Sequence, residues 1–315
     1  MEGKMNVLIA YDGSDYADAA LDDLERAGLP RDTKAVVMSV AEVWLPPPAR
    51  TGEAETVGVA NNELTSGLQR VRTETSRILE AAQALASQAG ERLRRTFPSW
   101  DVQLEAASGS PAWEVISFAD QWQPDLVIVG AQGRSPIGRL VLGSVSQKIL
   151  TEVRRSVRIA RGRARHSNTP VRIVIGADGS AGAYDAVRAV ARRPWPPQTE
   201  ARIMVVDDPL LPTAIDRFIP PITRWIEEGR REERAWAEEI LQNAAAILKN
   251  TEIATSTRVV EGDPKRALVE EAEEWGADVI FVGSAGFSNS LQRFLIGSVS
   301  SAVAARALCS VEVIR

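Results

Sequence analysis

A chain of 315 residues is long for one compact domain and comfortable for two of about 150. Its 44% apolar and 25% charged residues are an ordinary globular composition, and a net charge of −5 argues against general nucleic-acid binding, which needs a basic surface. One cysteine, Cys309, excludes an internal disulfide and any cysteine-clustered metal site, and no apolar run reaches the roughly 18 residues of a membrane span. The opening MEGKMNVLIAYDGS has no long apolar core before a cleavage site, so the expectation is a cytoplasmic protein without a signal peptide.

Residues 6–11 (NVLIAY) form a short apolar run that stops at Asp12-Gly13-Ser14, a strand followed by turn chemistry. Residues 14–27 carry Ala17, Ala20, Leu21 and Leu24 at helical spacing. A second buried strand is predicted at 35–43, and the Pro- and Gly-rich residues 44–62 read as a long mobile loop. A strong amphipathic helix follows over 63–97, with Leu64, Leu68, Val71, Ile78, Leu79, Ala82, Leu85 and Leu93 as its apolar stripe. Residues 102–107 read as a third strand and 111–121 as a helix with Pro111 in its first turn. A fourth strand is predicted at 126–129, a helix at 144–151 and a fifth strand at 157–160. This alternation predicts right-handed βαβ units, a parallel sheet, and helices on both of its faces. Ligands of such sheets sit beyond the carboxyl ends of the strands, where Asp12 and Gly130 share one rim.

From Val171 the sequence begins again. VRIVIGADGS repeats MNVLIAYDGS, so Asp178 answers Asp12. Residues 201–206 answer the second strand, and a helix over 222–249 answers the long first-half helix. Its stripe is Trp225, Ile226, Trp236, Ile240, Leu241, Ala244 and Leu248. Gly262 and Pro264 answer Gly109 and Pro111, Trp275 answers Trp122, and the tail VEVIR answers VRIAR. A repeat of this size is a duplicated domain rather than a solenoid unit. The expected domains are 1–162 and 170–315, joined by a polar linker at 163–169.

The most informative repeat is LVIVGAQGRSPIGRLVLGSV at 126–145, echoed by VIFVGSAGFSNSLQRFLIGSV at 279–299. A buried strand, a glycine loop and a helix start in that order form an anion cradle, because glycines admit a phosphate to the backbone and the helix N-terminus adds donors and dipole. Written as spacing, the first copy is Gly130-x2-Gly133-x9-Gly143-Ser144. That pattern, with Asp12 ending the first strand, resembles the universal stress protein family, as a tandem pair of such domains over nearly the whole chain. The resemblance implies an α/β fold of two Rossmann-like (adenine nucleotide alpha hydrolase-like) domains, each a five-stranded parallel sheet with helices on both faces. Family members with the full pattern bind ATP, while another branch lacks it and does not.

Carried onto this chain, the resemblance places Asp12 at the adenosine end of the site and the backbone of Val40 against adenine. Gly130 and Gly133 line the ribose and first phosphates, and Gly143, Ser144 and Val145 hold the remaining ones. Arg134 and Arg139 are either phosphate partners or solvated loop residues. The second copy matches at Asp178, Val206, Gly283, Gly286, Gly297, Ser298 and Val299. It stretches the interval between its last two glycines from nine residues to ten and has no arginine after Gly286, although Arg293 lies later in that loop. If only one site works, it is expected to be the first. ATP or a related adenine nucleotide, with Mg²⁺ as its companion, is the implied cofactor.

Plainer readings stand beside these. The glycines can be packing turns, Asp12 and Asp178 can be turn-forming Asx residues, and Ser144 and Ser298 are expected to cap their helices in any case. Six arginines between Arg154 and Arg165 read as a solvated connector rather than a polyanion contact. Trp122, Trp275 and Cys309 read as core, and His166 as inert. No GxxxxGK loop followed by Ser or Thr is present, and a single histidine leaves no Ser-His-Asp triad. The resemblance therefore implies nucleotide-dependent signalling or protection in a stress response, with at most slow hydrolysis. The alternative is a nucleotide-free interaction protein that uses its repeats for dimerisation. The resemblance further implies that the last strands, 157–160 and 311–314, pair within one chain as a pseudo-dimer, open to further homodimerisation. Neither a nucleic-acid nor a membrane partner is expected.

Overall fold

β-branched runs bounded by turn residues become strands, and the 3.6-residue patterns between them become helices. The structure, a computed structural model, describes residues 4–42, 60–133, 142–161, 169–207, 220–284 and 296–315, with side chains from residue 76 in the first long helix and from 234 in the second. The first half holds β1 (Met5–Ala10), α1 (Asp15–Asp23), β2 (Thr33–Glu42), α2 (Ala60–Thr96), β3 (Asp101–Gly109), α3 (Pro111–Trp122), β4 (Leu126–Gly130), α4 (Ser144–Glu152) and β5 (Ser156–Ala160). The second repeats that order with β6 (Arg172–Gly176), α5 (Ala181–Ala191), β7 (Glu200–Asp207), α6 (Pro220–Leu248), β8 (Ala254–Glu261), α7 (Pro264–Glu274), β9 (Val279–Gly283), α8 (Ser298–Arg306) and β10 (Ser310–Ile314). β8 escapes a periodicity reading because it is an edge strand with no buried residue.

Each half is a five-stranded parallel sheet, and the two fuse into one sheet of ten strands in the order β3-β2-β1-β4-β5-β10-β9-β6-β7-β8. The seam is the pair β5 and β10, which run antiparallel with Val311 opposite Ile159, Glu312 opposite Arg158 and Val313 opposite Val157. The halves thus form the pseudo-dimer that the resemblance implied, and each covers the other's outer strand edge. Because the seam is antiparallel, the strands of the two halves point in opposite directions. Their carboxyl rims open at opposite edges of the sheet.

Side chains of a strand alternate between its two faces. On the face covered by α3, α4, α7 and α8, a single buried cluster crosses the seam through Val157, Ile159, Val311 and Val313. On the other face the core is split in two, one part under α1 and α2, the other under α5 and α6. Between those parts lie Arg158, 1% exposed, and Glu312, fully buried. Arg158 donates to Asp23 at 2.6 Å and to Glu312 at 3.1 Å, and Arg193 donates to the same Glu312 carboxylate at 2.9 Å. Burial alone would lower the Arg158 pKa, but Asp23 and Glu312 outweigh it and raise the pKa.

The reading of the arginine run as a solvated connector is corrected at two positions: Arg158 is buried in the seam and Arg161 largely so, while Arg154 is exposed and Arg163 and Arg165 lie outside the described residues. The partners of Arg158 and Arg161 lie more than a hundred residues away, so nothing local marks them. Two helix-stripe assignments also change, since Leu79 is 36% and Trp236 48% exposed. Leu64, Leu68, Val71, Trp225 and Ile226 lie outside the described side chains, as do most of the expected loop at 44–62, the linker and His166. Trp122 and Trp275 pack against the core, and Cys309 is buried. Among the described residues no helix is long and apolar enough to cross a membrane.

Candidate functional site

The first rim begins where β1 ends. Tyr11 extends the ladder by one bond, its N–H donating to Met38 O at 2.9 Å, before Gly13 turns the chain at φ +74°. Asp12 Oδ1 accepts from the Ser14 N–H at 3.0 Å and from its hydroxyl at 2.6 Å, and Ser14 Oγ in turn accepts from Ala17 N to cap α1. Asp12 is therefore the turn-forming residue of the plainer reading. It also faces the glycine loop: a Cβ added to Gly133 would lie 2.9 Å from Asp12 Oδ2. Behind it, Tyr11 donates to Asp18 at 2.9 Å, and burial followed by that bond pushes its hydroxyl pKa up to about 12.

The three glycines serve different ends. At Gly130 a Cβ would meet Tyr16 O at 2.8 Å, so this glycine lets the first turn of α1 press against the end of β4. Gly143 donates its N–H to Ala131 O at 2.8 Å, closing the base of the loop, and a Cβ there would stand 3.6 Å from Gly133 N. Asp12, Gly133 and Gly143 thus form one continuous patch on the rim. Arg134 and Arg139 lie outside the described residues.

Gly143, not Ser144, is the N-cap of α4, with φ −63° and ψ 151° and no side-chain bond to the helix N–H groups. Ser144 is the first helical residue and cannot cap from there, which corrects the expectation; Gly297 replaces Ser298 in the same way. In contrast, Ser14, Ser180 and Asp263 cap α1, α5 and α7 with their own oxygens. An α-helix leaves its first N–H groups without internal partners, and a glycine cap offers them no acceptor. The start of α4 therefore presents N–H groups that no cap side chain takes, and the positive end of a helix dipole, to the patch.

A serine that the motif reading passed over fixes this helix start. Ser146 is buried, and its hydroxyl donates to Gly130 O at 2.7 Å, tying α4 to the end of β4. Ser300 does the same to Gly283 O at 2.5 Å. The signal was present, because Gly-Ser-Val-Ser recurs in both copies. Val145 and Val299 rest half-buried on the core. Val40 lies beyond the last β1 partner of β2. Since Met38 offers its carbonyl to Tyr11 and backbone groups alternate between neighbouring strands, Val40 turns its backbone toward the space above Asp12.

The second rim repeats this frame. Asp178 Oδ1 accepts from Ser180 N at 2.9 Å, Ser180 caps α5, and Gly179 turns at φ +79°. Met204 O accepts from Ala177 N at 2.8 Å, which gives Val206 the place that Val40 has in the first half. A Cβ on Gly283 would meet the Gly182 carbonyl carbon at 2.5 Å, and Gly297 N donates to Ser284 O at 2.5 Å. Gly286 and Arg293 lie outside the described residues.

The model of the universal stress protein family matches residues 5–161 and again 171–315. A universal stress protein of Mycolicibacterium smegmatis is 33% identical over 218 residues, 68% of this chain and 69% of its own length. The crystal structure of a universal stress protein from Archaeoglobus fulgidus has the same fold, with a TM-score of 0.55, 19% identity, and coverage of 99% of this chain and 96% of that one. A universal stress protein solved in complex with cAMP is 27% identical, covering 47% of this chain and 98% of its own, with a TM-score of 0.32.

Proposed function

This chain belongs to the universal stress protein family, and from that premise we propose that it binds ATP or a related adenine nucleotide, with Mg²⁺, as a nucleotide-dependent signalling or protective protein in the stress response. The observation that supports this most is the pair of helix starts, α4 and α8. Each opens at a glycine cap without a side-chain acceptor, behind a loop base closed by a backbone bond. In the first half Asp12 stands beside that base, where a ribose hydroxyl could donate to its carboxylate. Val40 supplies backbone groups above it, as the adenine end of the site requires. The second half carries the same frame, so the reading extends to one or both loops, with the first the stronger.

Titration calorimetry with ATP and Mg²⁺ tests it. A saturable heat is expected, reduced by Gly143→Val, whose side chain would crowd Gln132 Cα, 3.3 Å from the position of the new Cβ. No heat, or a titration unchanged when both Gly143→Val and Gly297→Val are present, would sink the reading. A homodimer, if one forms, must use surfaces other than β5 and β10, because those edges are spent on each other.

A further inference from the structure

Two arginines link the seam to the glycine loops. β5 ends at Ala160, whose carbonyl accepts the Ala131 N–H at 3.2 Å and so anchors the start of the first loop. The next residue, Arg161, turns to the other half. Its N–H donates to Ser310 Oγ at 2.9 Å, and its Nη2 donates to Ala304 O at 2.7 Å and Ala305 O at 3.4 Å, in the last turn of α8. β10 ends in the same manner. Ile314 O accepts from Ser284 N at 2.8 Å and anchors the second loop. Arg315 then crosses the seam, its N–H donating to Ser156 Oγ at 3.2 Å, its Nη2 to Leu150 O at 2.6 Å in the last turn of α4, and its Nη1 to Arg155 O at 3.1 Å.

The antiparallel seam dictates this exchange. Each outer strand ends beside the beginning of the other, which is where the other half's loop helix finishes. The last carbonyls of a helix lack internal partners, and a cation there complements the negative end of the dipole. Both guanidiniums are largely buried, and that burial pushes their pKa values down to about 10, still cationic at neutral pH. Arg161 Nη1 and Arg315 Nε find no acceptor among the described residues, so neither side chain is placed where its own solvation would put it.

We propose that Arg315 is a positioning residue for the first glycine loop and Arg161 for the second: each grips the far end of the helix that opens at the opposite half's loop. α4 is a single rigid piece of roughly 14 Å at 1.5 Å per residue, with Arg315 at one end and Gly143 at the other. A shift at one end is a shift at the other. The functional consequence rests on reading the loops as nucleotide sites.

Full-length Arg315→Gln and Arg161→Gln variants, compared by amide hydrogen exchange, test the crossed grip without any nucleotide. Arg315→Gln is expected to speed exchange of the Val153 amide, at the end of α4, by about tenfold and to leave the Ala307 amide of α8 at its wild-type rate. Arg161→Gln gives the reverse pattern, and Arg315→Lys, which keeps the cation, falls between glutamine and wild type. Equal effects on both helices, or effects confined to the arginine's own half, overturn the proposal. The second arm titrates ATP and Mg²⁺ in single-site backgrounds. With Gly297→Val, Arg315→Gln weakens binding several-fold; with Gly143→Val it leaves the affinity unchanged. If the wild type binds but this crossed dependence is missing, the positioning role fails and the nucleotide reading survives. If the wild type does not bind, the nucleotide reading fails and the exchange pattern alone decides the grip.

Discussion

The two faces of the sheet cross the seam in opposite ways. On one face the apolar core runs unbroken from α3 and α4 to α7 and α8; on the other, Asp23, Arg158, Glu312 and Arg193 interrupt it. The apolar face gives adhesion that is nearly indifferent to alignment. The charged face supplies register, because a slip of one residue would turn Arg158 and Glu312 into the apolar core. Each half also brings its own counter-charge, Asp23 for Arg158 and Arg193 for Glu312. Arg158 and Glu312 occupy the same place in the repeat, so at that position the two copies carry opposite charges.

Breaking that network should give the largest effect. Glu312→Ala leaves Arg158 and Arg193 buried without their shared carboxylate, and a loss of about 3–5 kcal/mol is expected in urea unfolding. The exchanged pair Arg158→Glu with Glu312→Arg sharpens the point. It should do no better than the single variant, because each new charge meets the like charge of Asp23 or Arg193. Recovery of wild-type stability by that pair would show that the two local counter-charges do not matter.

The repeated glycines offer an intermediate contrast. Gly130→Ala and Gly283→Ala push a Cβ into the backbone of the first turn of α1 and of α5, at 2.8 and 2.5 Å. A cost of about 1–3 kcal/mol is expected for each in nucleotide-free protein, with the second half hit harder. If either substitution proves neutral in stability and harms only nucleotide binding, that glycine is a ligand residue rather than a packing one.

The smallest effect at neutral pH belongs to Tyr11, which has Ala177 as its counterpart in the second half. Its neutral hydroxyl is favoured in the folded state, so its contribution is complete below pH 10 and is lost as the pH rises toward 12. Unfolding midpoints between pH 9 and 12 should fall more steeply in wild type than in Tyr11→Phe. The depressed Arg161 and Arg315 values act in the opposite direction but are common to both proteins, so the difference isolates Tyr11. Parallel curves would remove Tyr11 from the account.

Much of the site was legible because it is local. Asp-Gly-Ser after an apolar run dictates the turn and the cap of the next helix, and the structure places Asp12, Gly133 and Gly143 together. What misled was also local in character. Ser144 is a good capping residue by type, yet capping requires the non-helical position one residue earlier, which Gly143 holds. Trp236 fits a helical stripe by spacing but lies at the edge of the face that α6 buries.

By itself the sequence determined the duplication, the strand–loop–helix order of each half and the sites where glycine is needed, since all of these follow from short-range periodicity and backbone conformation. Only the tertiary structure decided that the rims face opposite edges of one sheet, that Arg158 is buried, and that Arg161 and Arg315 are largely so. A charged side chain reads as exposed until its partner is known. Here the partners, Asp23, Glu312 and two helix ends, lie far along the chain, and all but Asp23 meet their arginine only when the halves close.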